Sequence, residues 1–250
     1  MNVNTPSPLH QFEVLPILPL HVGGLNLTIT NQTLWTGIAV SFVILVLLLG
    51  ISRMKLVPGR LQALVEGLVG FARQLTEDTA GHGALAFFPV ILTVFLFVAC
   101  LNLAGMIPHS YTVTSQITTT AYMAGLVFVT VMAVGLKTQG LHFFSRFVPG
   151  GAPVLMWPII IPIEVISFLA RPITLAVRLA ANMVAGHILL KIFATFCIML
   201  VGLEWLAASA AVPLVLLVAL SGLEVFVALL QAYIFTVLTC VYVGDAMHSH

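Results

Sequence analysis

Five charged side chains stand within two long apolar stretches in the second half of the chain. They are Glu164, Arg171, Arg178, Lys191 and Glu224. A charged side chain at the middle of a membrane costs about 2.5 to 3.5 kcal/mol on insertion scales. Side chains retained in spite of that cost typically bind ions, relay protons or pair with one another. The sequence therefore points to ion chemistry inside a membrane.

Three of these charges share one face of a helix. Glu164, Arg171 and Arg178 are spaced by seven residues, a step that drifts only about 20° around an α-helix, and Asn182 extends the stripe by one turn. Glu164 and Arg171 could form an ion pair that only steadies the helices. The same interpretation does not suit Arg178, because no acidic residue lies within two turns of it on its own helix.

The second apolar stretch offers titratable and hydrogen-bonding groups at a similar depth. Glu224 and Gln231 are also spaced by seven, and a hairpin turn near residue 203 would bring Arg178 to a level between them. His187 lies nine residues after Arg178, on the opposite side of its helix. Arginine keeps its proton at physiological pH, whereas glutamate and histidine can load and release protons when their surroundings adjust them. The pattern predicts a proton path beside a permanent cation.

The composition indicates what must surround these residues. Of the 250 residues, 60% are apolar and only 7% are charged, compared with roughly 25% in soluble domains. A net charge of +1 provides no basic field for nucleic acid, and there is no Gly-rich loop ending in Gly-Lys-Ser/Thr that would bind a nucleotide. A soluble enzyme and a nucleic-acid-binding protein are excluded, and the lipid bilayer is the expected environment.

Apolar runs of the length needed to cross a membrane, about 20 residues, predict an all-α polytopic membrane protein. We expect about five membrane-crossing helices and one amphipathic surface helix in a single membrane domain. The predicted segments are an external N-terminal segment at 1–33, span one at 34–52, the surface helix at 60–79, span two at 85–107, span three at 119–136, and a long, tilted helical hairpin formed by 154–201 and 203–247.

Basic residues predict the orientation of the chain. Lys and Arg fall in two loops, one after span one and the other after span three, whereas the N-terminal segment and the turn after span two contain none. Loops rich in Lys and Arg stay in the cytoplasm. The N-terminus is therefore expected outside and the C-terminus inside.

Several segments resemble subunit a of the rotary, F-type ATP synthases. They are residues 162–164, 171–187, 223–224 and 230–235, together with 10–13 and 102–108. The resemblance covers essentially the whole chain and is most specific around Arg178. Many bacterial members of this family carry an acidic residue at the position of His187 and a histidine at that of Glu224. This chain has the reverse arrangement, as alphaproteobacterial and mitochondrial members do.

The resemblance implies a stator subunit that offers two offset proton half-channels to a ring of c subunits. Arg178 would face the ring, attract each ring carboxylate after it releases its proton and prevent a proton short-circuit. The residues implied in the proton path are Glu224, His187, Asn182 and Gln231 on the inward side and Glu164 on the exit side. Arg171, Asp245 and His248 would be supporting residues, and a solvated tail is the alternative interpretation of the last two.

The same resemblance implies the partners and the location. The surface helix would contact the b-type subunits of a peripheral stalk, and other ATP synthase subunits would carry the ATP chemistry, since this chain has no active site of its own. No cofactor is expected, and the translocated ion would be H⁺. The location would be a bacterial inner membrane, with the mitochondrial inner membrane as the alternative.

Two other functions stay open on the residues alone. A stand-alone ion channel or secondary transporter would use intramembrane Glu and Arg to bind an ion or a substrate. A purely structural anchor would tolerate apolar replacements of Arg178, Glu224 and Gln231. His187 alone could serve as a hydrogen-bonding residue between helices rather than as a proton relay.

Overall fold

The computed structural model describes residues 12–19, 21–22, 25–26, 28–52, 55–107, 110–140, 143, 156–202 and 209–247. Six α-helices account for most of this part of the chain. They are α1 (Asn31–Ile51), α2 (Arg60–Ala80), α3 (Phe88–Gly105), α4 (Ile117–Gln139), α5 (Trp157–Gly202) and α6 (Ala211–Met247). Two 3-10 helices, His82–Phe87 and Val113–Ser115, precede α3 and α4.

Five of these helices are long and apolar enough to cross a membrane. They are α1, α3 with the 3-10 turn before it, α4, α5 and α6. The remaining helix, α2, packs against α6, α1 and α3, whereas its Leu61 and Leu64 side chains are about half exposed. The prediction of an all-α polytopic membrane protein is confirmed.

The N-terminal segment contains short strands that the sequence pattern does not predict. Strand β1 (Pro16–Leu18) pairs antiparallel with β4 (Ile29–Thr30), and β2 (His21–Val22) pairs antiparallel with β3 (Leu25–Asn26). Strands of two or three residues are too short to show an alternating pattern. Thr30 ends the last strand and also caps α1, because its hydroxyl accepts a hydrogen bond from the Thr33 amide.

The hairpin of α5 and α6 is the longest feature of the fold. At 1.5 Å per residue, its 46- and 37-residue helices are about 70 Å and 55 Å long, roughly twice the thickness of a hydrocarbon core. Helix α5 continues through Pro162 and Pro172. Helix α6 begins at Ala211 rather than at 203, so that Pro213 lies in its first turn, where a missing amide hydrogen is tolerated.

The up-and-down order of the helices defines two ends of the bundle. The connection after α1, the C-terminal end of α4 and the C-terminal end of α6 meet at one end, which we call the basic end because it carries Lys55, Arg60 and Lys137. The N-terminal strands, the described part of the α3–α4 loop (residues 106–107 and 110–116), the C-terminal end of α5 and the N-terminal end of α6 belong to the opposite end. The core between them is formed mainly by α3, α4, α5 and α6.

Close packing of α2 on α6 near the basic end depends on Gly244. A Cβ atom added there would lie 3.2 Å from the Ala80 Cα and 3.3 Å from its Cβ. We expect Gly244→Val to destabilise the chain by about 1 to 3 kcal/mol, the usual effect of overpacking against backbone that cannot move. Thermal unfolding of the purified protein in detergent would measure it. Gly125→Val is the control because a Cβ at Gly125 meets nothing within 4 Å, and equal midpoints for the two variants would contradict the prediction.

Candidate functional site

A histidine and a glutamate form a pair between α5 and α6. The Nε2 atom of His187 lies 3.6 Å from Oε1 of Glu224, and Glu224 is only 5% exposed. Gly186 makes this approach possible, since a Cβ at that position would come within 2.8 Å of the same carboxylate oxygen. The two titratable groups singled out in the sequence are therefore brought together by the hairpin.

The remaining side of this pair is closed by the α3–α4 loop and by α3. The Thr112 hydroxyl lies 3.0 Å from His187 Nε2, and the buried Asn102 side chain on α3 donates a hydrogen bond of 3.0 Å to the carbonyl of Ala228 on α6. Ala228 follows Glu224 by one helical turn. Helix α3 is thus joined to α6 one turn beyond the carboxylate that faces α5.

Several buried polar atoms in this region have no hydrogen-bond partner among the described residues. They are both carboxylate oxygens of Glu224, Oδ1 of Asn102 and Oγ1 of Thr114. Buried polar atoms in proteins are nearly always hydrogen-bonded, either to protein groups or to ordered water. Their concentration near one end of the bundle indicates a polar region suited to water.

A cavity of about 180 Å³ connects Glu224 with Asn182. Its other walls are mostly leucine side chains, and two of these, Leu189 and Leu223, are exposed on the outside of the bundle. The volume exceeds that of a single water site several-fold, since one water needs about 10 to 15 Å³ on this measure. The cavity is thus mostly apolar, with Glu224 and Asn182 as its polar groups, and it extends from Glu224 toward the surface of α5.

Arg178 lies on that surface, one turn before Asn182. Its side chain is exposed, as are those of Val177, Ala181 and Ala185 around it. The salt bridges within the described part of the chain are Arg73–Glu77, Arg171–Asp245 and His187–Glu224, so they leave the Arg178 guanidinium available to a group outside this chain. Along α5, Arg178 is about 13 Å from the level of His187.

Toward the basic end, a different ion pair joins α5 and α6. Arg171 Nη1 donates to Asp245 Oδ2 at 3.2 Å, and the Arg171 guanidinium also lies 5.3 Å from the centre of the Tyr242 ring. The alternative in which Arg171 pairs with Glu164 along the same helix is therefore wrong. It fails because the hairpin brings Asp245 to Arg171, a contact that spacing along one helix cannot reveal. Glu164 is half-buried on α5.

Two other predicted site residues, Gln231 and His248, are not part of this pair as the structure describes it. Gln231 is buried on α6, about 10 Å along the helix from Glu224, and His248 lies outside the described residues. Thr112 and Gly186 were not singled out in the sequence as site residues, because a threonine in a loop and a glycine in a helix carry no charge or spacing signal. Within the described residues, no group of three or more His, Cys, Asp or Glu side chains is arranged to hold a metal ion.

Comparisons with known proteins identify the family. Residues 33–244 match the family model described as ATP synthase A chain. Proteins named ATP synthase subunit a are 45% identical in Parvibaculum lavamentivorans (97% of this chain and 94% of the relative), 46% in Nitrobacter winogradskyi (97% and 98%) and 42% in Bartonella tribocorum (99% of both). A match of this extent, together with the paired carboxylate and exposed arginine, places the chain in the ATP synthase A chain family.

Proposed function

We propose that this chain is the stator subunit that supplies two offset proton half-channels to a ring of c subunits in the membrane sector of ATP synthase. One observation carries the proposal. The buried His187–Glu224 pair opens through a cavity to Asn182, one turn from the exposed Arg178. The name ATP synthase subunit a, which belongs to the relatives, is in agreement.

The inward half-channel runs from the end opposite the basic end to the ring. Glu224 and His187 can each bind and release a proton, and the cavity beside them leads to the amide of Asn182. Gln231 is buried further along the same helix as Glu224, and we assign it to the deeper part of this route. In this route protons reach Asn182, one helical turn from Arg178, without passing through Arg178 itself.

Arg178 separates the two half-channels. Arginine remains charged at any physiological pH, so it cannot pass a proton on and instead repels one. Its exposed position among Ala181 and Ala185 lets a neighbouring helix approach closely. A carboxylate on that helix is attracted to Arg178 only after it has released its proton. Protons must therefore travel with the moving carboxylate.

The exit half-channel lies toward the basic end. Arg171, Asp245 and Glu164 are on that side of Arg178, whereas His187 and Glu224 are on the other. Along α5, Arg171 lies about 10 Å from Arg178 toward the basic end, and His187 lies about 13 Å from it in the other direction. An elementary charge that crosses the whole membrane gains about 2.3 kcal/mol per 100 mV. Because neither half-channel spans the membrane, this energy becomes available only through rotation.

Exposed surfaces fit the expected partners. The surface of α5 that carries Arg178 also exposes Ile173 and Val177, which a c-subunit ring would cover. The exposed apolar side chains Leu61 and Leu64 of α2 suit a b-type subunit of the peripheral stalk or lipid. Other synthase subunits would hold nucleotides. The transported ion is H⁺, and no cofactor takes part.

The chain is a multi-pass membrane protein, and we assign it to a bacterial inner membrane with its N-terminus outside. Lys55, Arg60 and Lys137 at the basic end favour the cytoplasm for that end. The C-terminal end of α6 then also lies in the cytoplasm. The named relatives come from bacteria.

Dependence on the ring separates this function from that of a stand-alone channel or transporter. Vesicles with the assembled membrane sector are expected to conduct protons at least tenfold faster than vesicles with the same amount of this chain but no c subunits. The reason is that Arg178 blocks direct passage between the half-channels. An imposed potential and a pH-sensitive dye inside the vesicles would measure both rates. Equal conduction without c subunits would favour the stand-alone channel.

A further inference from the structure

The α3–α4 loop places a hydroxyl group directly against His187. Thr112 Oγ1 lies 3.0 Å from Nε2 of the imidazole, and Glu224 Oε1 lies 3.6 Å from the same nitrogen. One ring atom thus stands between a hydroxyl and a carboxylate. The first distance is within hydrogen-bonding range and the second is slightly beyond it. A small tilt of the ring would exchange one partner for the other.

Thr112 is held in this position by α3 and by its own loop. Its methyl group and hydroxyl pack over Gly105, where an added Cβ would come within 2.9 Å of Thr112 Cγ2. The backbone amide and the hydroxyl of Ser115 both donate to the Thr112 carbonyl, at 3.1 and 2.6 Å. Thr112 is 5% exposed. The hydroxyl is consequently fixed in position, and its hydrogen can point either to the Gly105 carbonyl, at 3.5 Å, or to His187 Nε2, at 3.0 Å.

The N-terminal segment is hydrogen-bonded to the same loop. The Phe12 carbonyl accepts hydrogen bonds from Gln116 Nε2 at 2.6 Å and from the Tyr111 hydroxyl at 3.3 Å. Burial raises the pKa of Tyr111, although the hydrogen bond from Gln116 opposes this, so its hydroxyl stays a donor. The Phe12 ring also meets His187 edge to face, with centroids 6.4 Å apart. His187 is thereby covered on one side by a ring and approached on another by Thr112.

The described part of the loop carries three serine or threonine hydroxyl groups besides that of Thr112. Two residues after Thr112, the Thr114 hydroxyl is fully buried and has no partner among the described residues. Ser110 and Ser115 add two more hydroxyls within the same short segment. A hydroxyl group both donates and accepts, so it can pass a proton without holding a fixed charge. A buried, unpartnered hydroxyl beside Thr112 indicates that water meets the loop there.

We propose that Thr112 is the hydroxyl relay through which protons reach His187, an inference that rests on the proposed function. Its oxygen accepts a proton from a hydrated proton on the loop side while its own hydrogen moves to His187 Nε2. One O–H bond breaks and another forms at the same oxygen, so Thr112 is regenerated and the charge resides on the imidazolium. His187 then passes the Nε2 proton to the Glu224 carboxylate and returns to its neutral form.

The test compares Thr112→Val with Thr112→Ser in the assembled ATP synthase. Valine keeps the shape but lacks the hydroxyl, so proton-driven ATP synthesis per assembled complex is expected to fall at least tenfold. Serine keeps the hydroxyl and is expected to retain at least half of the rate. Thr120→Val is the matched control, because that buried hydroxyl bonds only carbonyls of its own chain segment. A full rate for Thr112→Val, or an equal loss for valine and serine, would overturn the relay.

A second comparison, in a His187→Ala background, distinguishes this inference from the function on which it rests. If Thr112 acts through His187, adding Thr112→Val to His187→Ala lowers the rate by less than twofold. Losses that multiply in the double variant would overturn the relay. If His187→Ala alone retains the full rate, the proposed inward half-channel fails. If His187→Ala is slow and Thr112→Val is not, only the role of Thr112 fails.

Discussion

Replacement of Arg178 by alanine is expected to lower proton-driven ATP synthesis to less than about a hundredth of the unsubstituted rate, while passive proton leakage persists or increases. Each fall of tenfold corresponds to about 1.4 kcal/mol. Alanine removes the fixed charge between the half-channels, so that protons can pass without moving the ring. Sealed vesicles with the whole complex and an imposed proton gradient would measure synthesis and leakage together.

Lysine at the same position is not expected to restore coupling. A lysine held against an apolar partner surface loses its proton more readily than arginine does, and it then relays protons instead of repelling them. Lysine also lacks the planar group that binds a carboxylate through two hydrogen bonds. Synthesis at the normal rate in Arg178→Lys would show that any positive charge suffices and would contradict the role given to the guanidinium.

Lys191 provides a matched control on the same helix. It is the third cation of α5, after Arg171 and Arg178, and it lies one turn beyond His187 rather than on the exposed surface around Arg178. Lys191→Ala is expected to retain at least half of the rate of synthesis with no added leakage. An equal loss in both variants would indicate that removal of any positive charge from α5 disturbs the hairpin, and the specific role of Arg178 would then be abandoned.

Much of the helical architecture could be predicted because it depends on local properties. Long apolar runs specify crossing helices, and the spacing of seven placed Glu164, Arg171 and Arg178 on one face of α5. The family predicted from the segments around Arg178 is confirmed by the match over residues 33–244 and by the named relatives. The short strands before α1 lack any such local pattern.

The contacts between distant segments could not be predicted from spacing. Arg171 binds Asp245 across the hairpin, 74 residues away, and Thr112 meets His187 across 75 residues. Only the packing of the loop on α3 and α5 creates the second contact. The role of Gly186 also depends on a distant segment, because the absence of a Cβ there leaves space for the Glu224 carboxylate on another helix. The sequence shows which residues are charged, but it does not show the space that packing leaves around them.

Glu224→Gln is the second substitution with a large expected effect, and its signature differs from that of Arg178→Ala. Glutamine has the size of glutamate but cannot take up and release a proton at this position. Synthesis and passive conduction are therefore both expected to fall at least tenfold, because the inward path loses a relay and no short-circuit opens. In sealed vesicles with the whole complex and an imposed proton gradient, the ATP formed gives the rate of synthesis, and proton uptake without ADP gives the rate of passive conduction.

Ser221→Ala on the same helix controls for disturbance of α6. The Ser221 hydroxyl bonds only the carbonyl of Leu217 in its own helix, so its removal is expected to leave both rates above half. Normal conduction in Glu224→Gln would mean that protons reach the ring by another route. Loss of synthesis with conduction retained would assign Glu224 to coupling rather than to the path, which would also contradict the inward half-channel.

Position can be tested separately from chemistry through Gly186→Ala, which retains the Glu224 carboxylate. A Cβ at Gly186 would lie 2.8 Å from Glu224 Oε1, closer than van der Waals contact allows, so the carboxylate must move away from its present position beside His187. We expect a several-fold loss of synthesis and conduction, smaller than that of Glu224→Gln. Gly222→Ala adds the same atom to α6 where nothing lies within 4 Å, and it is expected to change neither rate. If Gly186→Ala behaves like Gly222→Ala, the 3.6 Å approach of Glu224 to His187 is not required for proton transfer.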